Sequence, residues 1–99
     1  MYIEDYMDSI NENLVLTRVY LVAKGKPWFA VIPNAMVKTG SVVNQAKGIG
    51  MTPEEAIHAL FTLIRGKEMV INYPTNPKTL IVPDVNWQFN KHVAMTSYR

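Results

Sequence analysis

With 99 residues, 48% of them hydrophobic and 18% charged, the chain has the composition of one globular domain with a modest core, not of a disordered tail. It has no cysteine, which excludes disulfides, zinc thiolates and cysteine nucleophiles. Net charge is +2, but Glu4, Asp5, Asp8 and Glu12 crowd the start, which leaves a mildly basic remainder.

Apolar stretches such as Ala56–Ile64 fall far short of the roughly 20 residues that a membrane span needs. The opening MYIEDYMDSINE lacks the basic-then-apolar pattern of a signal peptide. A cytoplasmic protein of a bacterium or a phage-infected cell is expected, with no membrane partner.

Residues 2–12 predict a short helix, because Ile3, Tyr6, Met7 and Ile10 share one face at helical spacing. Leu14–Val22 predicts a strand. Leu16, Arg18, Tyr20 and Val22 fall on one side and Val15, Val19 and Leu21 on the other. Two largely apolar faces suggest a central strand. AKGKP is a turn, and Trp28–Ile32 the antiparallel partner, stopped by Pro33-Asn34. Ser41–Lys47 predicts a third strand, ended by the glycines of Gly48-Ile49-Gly50.

The main helix is predicted over residues 52–65. Thr52 is a good N-cap, Pro53 suits the first helical position, and Glu55 completes a capping box. Ala56, Leu60, Leu63 and Ile64 form a stripe, widened by Ile57 and Phe61, that should lie on a sheet. Gly66 suits a left-handed cap. Met69–Tyr73 and Thr79–Val82 predict two further strands around the turn Pro74-Thr75-Asn76-Pro77. Val85, Trp87 and Phe89 alternate with polar residues, as an edge strand or a C-terminal arm over 85–99 would. The expected architecture is α+β: one domain over 1–99, an antiparallel sheet of three to five strands, and one main helix on one face. Trp28, Phe29, Val31 and Tyr20 cannot all point one way. The second sheet face therefore needs a cover, and a homodimer is one way to supply it.

Catalytic signatures are missing. His58 follows Glu54 and Glu55 on the polar side of the helix, and His92 stands beside Lys91, but no cluster of titratable residues surrounds either. The G-x-G at 48–50 continues to Pro53, so the dinucleotide fingerprint fails, and no phosphate-binding loop of the GxxxxGK type occurs. Glu54 and Glu55 would repel an anion at the helix start. No enzyme activity, cofactor or metal is expected.

The run KPWFAVIPNAMV…GIGMTPEEAIHALFTLI resembles the HicB antitoxin domain, a degenerate RNase H-like fold of the order β-β-β-α-β, over residues 14–70. Trp28–Asn34 matches that family's aromatic strand and turn, and Gly50–Ala56 its glycine-to-helix start. The resemblance implies a self-associating domain that binds a protein partner, in that family a small RNA-cleaving toxin. No helix-turn-helix or ribbon-helix-helix segment is visible in these 99 residues, so operator binding is not implied. A double-stranded RNA-binding domain also places a helix after three strands, but it carries lysines where Glu54 and Glu55 stand here.

The expected function is thus a non-enzymatic protein-binding regulator or inhibitor, antitoxin-like or encoded by a phage or other mobile element. Its partner would be a toxin, a nuclease or another host protein. Trp87, Phe89, Lys91, His92 and Tyr98 are the candidate partner-binding residues, since aromatics anchor interfaces. The alternative is a nucleic-acid-binding module using Lys24, Lys26, Lys38 and Lys47.

Overall fold

The computed structural model describes residues 1–18 and 25–89. In chain order the elements are α1 (Ile3–Ser9), β1 (Val15–Arg18), β2 (Trp28–Thr39), β3 (Val42–Gly50), α2 (Pro53–Ile64), β4 (Glu68–Ile71) and β5 (Lys78–Ile81). The class is α+β, with a five-stranded antiparallel sheet among the described residues.

The central strand is β2, not β1. On one side β2 pairs with β3 along both its halves. On the other side β1 takes the first half, with Leu16 opposite Ala30, and β4 the second, with Val37 opposite Met69. The described part of β1 pairs with β2 alone and ends the strand order. Apolar residues on both sides of β1 had suggested a central strand. Within the described part, Val15 faces the open side of the sheet and Leu16 the covered one, while residues 19–22 lie outside the described residues.

Pro33-Asn34 does not stop β2. The register shifts between Val31 and Met36, so these residues form a bulge inside a 12-residue strand. A proline is tolerated there because a bulged residue owes no ladder N–H. Asn34 takes a left-handed φ of 60° and its carbonyl accepts from the Tyr73 N–H at 2.9 Å, tying the bulge to the end of β4. The strand then runs to a two-residue hairpin loop, with Thr39 opposite Val42 and Gly40 at φ 64° in the first loop position.

The third strand does not stop at Lys47: it runs through Gly48 and Ile49 and ends at Gly50. An ideal Cβ at Gly48 would lie 2.2 Å from the Leu60 nitrogen and 2.4 Å from the Ala56 oxygen. One at Gly50 would lie 2.4 Å from the Ala56 nitrogen. These glycines let the backbone of α2 rest directly on β3. The helix begins as its sequence dictates: Thr52 Oγ1 accepts from the Glu55 N–H at 3.2 Å. Glu55 Oε2 in turn accepts from the Met51 N–H at 2.9 Å, one residue before the usual capping-box partner. Ala56, Ile57, Leu60, Phe61 and Ile64 are buried against the sheet.

The second element on this side is α1, where Ile3, Tyr6 and Met7 are buried. Residues 86–89 run beside it as an arm. Gln88 donates to the Met1 carbonyl at 2.9 Å and accepts from the Ile3 N–H at 2.8 Å, while the N-terminal ammonium donates to the Asn86 carbonyl at 3.1 Å. Trp87 lies 5.1 Å from Tyr6 and 4.9 Å from Phe61, ring centre to ring centre. The core thus fills one side of the sheet, between β-strand residues Leu16, Ala30, Ile32, Val37, Met69 and Ile71 and the helical layer.

Candidate functional site

Strand alternation decides which residues face away from that core. The register places Thr17, Phe29 and Ile49 in one row, Val15, Val31 and Lys47 in the next, then Met36, Gln45 and Val70. Lys38 beside Val43, Glu68 beside Ile81 and Thr79 beside Val70 extend the same face. No described element covers it. Ile81 is 65% exposed, Val43 50%, Ile49 42% and Val15 38%, while Phe29, Val31, Met36 and Val70 are half-buried by their neighbours.

The charges on this open face are held down within the chain. Lys38 Nζ lies 3.3 Å from Glu68 Oε2, and Lys47 Nζ lies 5.1 Å from the centre of the Phe29 ring. The pair is about half exposed and worth little energy. Beside that pair, the described open face carries eight apolar side chains and one further cation, Lys47, over the Phe29 ring.

The predicted site residues fall in several places. Trp87 and Phe89 are half-buried and packed against the chain's own core, on the helical side. Lys91, His92, Tyr98 and Lys24 lie outside the described residues. Lys26 is exposed just before β2, where its carbonyl accepts from Arg18 Nε at 3.2 Å. Lys38 and Lys47 both belong to the open face. Trp28 lies on the covered face, half-buried, with Arg18 5.4 Å over its ring. Sequence reasoning missed Val15, Met36, Val43, Ile49, Val70 and Ile81. A signal was available in β3: Ala46, Gly48 and Gly50 are the small residues of one face, suited to a close helix, which leaves Val43, Gln45, Lys47 and Ile49 to the other.

On the helical side a shallow cleft of about 340 Å³ is lined by His58, Phe61, Thr62, Arg65, Asn86 and Trp87. Its guanidinium is already engaged, since Arg65 Nε lies 2.6 Å from Asp84 Oδ1. Among the described residues no three acidic or histidine side chains gather as a metal site requires. Nor is any described helix long and apolar enough to cross a membrane. Burial raises the Tyr6 hydroxyl above its ordinary pKa, and that oxygen has no hydrogen-bond partner among the described residues.

Comparison with protein-family models, with curated proteins and with solved structures finds no match to this chain.

Proposed function

We propose that the chain is a non-catalytic protein-binding module, of the regulator or inhibitor kind, that works through the open face of its sheet. One observation carries this reading: eight apolar side chains on a face that no described element covers. Contiguous exposed apolar patches larger than a monomer ordinarily shows mark interaction sites, protein–protein sites among them. The HicB-type resemblance adds a class of client, a small toxin or nuclease held inactive by a stoichiometric partner.

The test is affinity capture from a bacterial lysate with the wild-type chain and with the Ile49→Glu/Ile81→Glu variant. The reading expects a stoichiometric protein, a second copy or a foreign one, retained by the first and lost by the second. Finding neither partner nor self-association would refute it. Lys38 and Lys47 on the same face keep nucleic acid as the competing ligand. Both are already engaged by Glu68 and Phe29 and stand among apolar residues, which favours protein. A mobility shift that weakens steeply with salt would reverse that ranking.

A further inference from the structure

We infer that the occupant of the open face is a second copy of this chain, stacked sheet on sheet about a two-fold axis. The inference rests on the reading of that face as a protein-binding surface and names its partner. The described terminal segments are committed elsewhere. Helix α1 and the arm as far as Phe89 are fixed to the helical side by their mutual hydrogen bonds and by the Tyr6–Trp87–Phe61 ring cluster.

The face also suits a copy of itself. A two-fold interface brings one patch against the same patch, so it must not repel itself. Here Lys38 and Glu68 cancel within the protomer, and Lys47 is drawn back over Phe29. The middle of the face is Phe29, Val31, Met36 and Val70, on the central strand and its neighbour β4. Lys47 and Gln45 lie on the outer strand β3, and the Lys38–Glu68 pair lies toward the hairpin end. The margin is mixed, since Val43 and Ile49 share β3 with Lys47 and Gln45 and Ile81 lies on the edge strand β5, but the centre is wholly apolar, as the core of a stable interface is.

Size agrees. Strands about 4.8 Å apart with a rise of about 3.3 Å per residue give the face a footprint on the order of 20 by 30 Å. That approaches the roughly 800 Å² per partner of a standard interface. Two such faces would stack about 10 Å apart with their strands near 30° to each other. Left uncovered from synthesis onward, an apolar face of this size invites aggregation. A second copy is the one partner present in equal amount wherever the chain is made.

The experiment is sedimentation equilibrium of the whole chain from about 1 to about 100 µM, with circular dichroism to confirm that each variant is folded. The wild type is expected at twice the 11.2 kDa chain mass. Ile49→Glu and Ile81→Glu, which put carboxylates into the apolar face, should each weaken the dimer by about a hundredfold or more. Val42→Glu should leave it intact, because Val42 is exposed on the opposite face of the same strand. A dimer that survives both face variants, or breaks with Val42→Glu, overturns the inference. So does a wild type that stays monomeric throughout. In that case, if a foreign protein protects the face from hydrogen exchange, the protein-binding reading survives without the dimer. If nothing does, both fail.

Discussion

Replacing Gly48 by alanine sets two effects of opposite sign against each other. Judged by backbone preference alone, alanine in a strand is better than glycine by about 0.5–1 kcal/mol. The structure predicts the reverse. The added Cβ would sit 2.2 Å from the Leu60 nitrogen and 2.4 Å from the Ala56 oxygen, against the 3.4 Å or more of ordinary contact. Both obstacles are backbone atoms, so no rotamer change relieves them, and α2 must retreat by about 1 Å. A gap of that size forfeits roughly a quarter to a half of each dispersion contact across it. The contacts at stake are those of Ala56, Ile57, Leu60, Phe61 and Ile64 with the sheet. Overpacking costs about 1–3 kcal/mol, and this site belongs at the upper end. After the backbone gain is subtracted, a net loss of about 2 kcal/mol remains. Urea unfolding measures it directly: the midpoint should fall by about 1–2 M. The melting temperature should drop by about 8–16 °C. An unchanged or raised midpoint would refute the account of how the helix sits on β3.

Further perturbations separate the helical layer from the open face. Trp87→Ala should cost about 2–4 kcal/mol in urea unfolding, because the indole closes a three-ring cluster with Tyr6 and Phe61. A variant with native stability but lost partner binding would instead make Trp87 an interface anchor. Tyr6→Phe should raise stability by about 1 kcal/mol at neutral pH, since it removes a buried hydroxyl without a partner among the described residues. Its pH dependence has a fixed sign. The folded pKa is raised above the ordinary 10.0, so the unfolded chain loses this proton first. The contribution is fully present below pH 10 and is lost as pH rises toward the folded value. The wild type should therefore lose more stability between pH 9 and about pH 11 than Tyr6→Phe, as read from urea midpoints. Equal losses would show that the hydroxyl is not shielded.

Local chemistry made the helices legible in the sequence. Thr52, Pro53 and Glu55 announce the start of α2 through backbone groups that any helix leaves orphaned. The stripe from Ala56 to Ile64 announces its buried face, and Ile3, Tyr6 and Met7 do the same for α1. The strands after the helix were legible for a similar reason, since the Pro74–Pro77 turn cannot continue either one. Pro33-Asn34 and Gly48-Ile49-Gly50 misled because each read as punctuation. Whether a proline ends a strand or sits in a bulge depends on the partner strand, and Asn34 is held by Tyr73, far along the chain. Whether a glycine is a turn or a landing place for a helix depends on what lies above it. The open face was the least legible feature, because assigning Ile49 and Ile81 to one side needs the register of four strands at once. Trp87 and Phe89 drew attention as aromatic surplus beyond the main fold. Hydrogen bonds between Gln88 and the first residues bring them back to it.

Because the chain contains no cysteine, a single introduced thiol reports its own surroundings. Ile49→Cys and Ile81→Cys place it on the open face, and Val42→Cys places it on the other face of β3. The decisive measurement is the rate of maleimide labelling at each site over a range of protein concentrations. At about 100 µM the two open-face thiols should react at least about tenfold more slowly than the thiol at position 42, and they should speed up on dilution as the covering protein leaves. Equal rates at all three positions and every concentration would mean that the open face meets only water, and the central claim would fall.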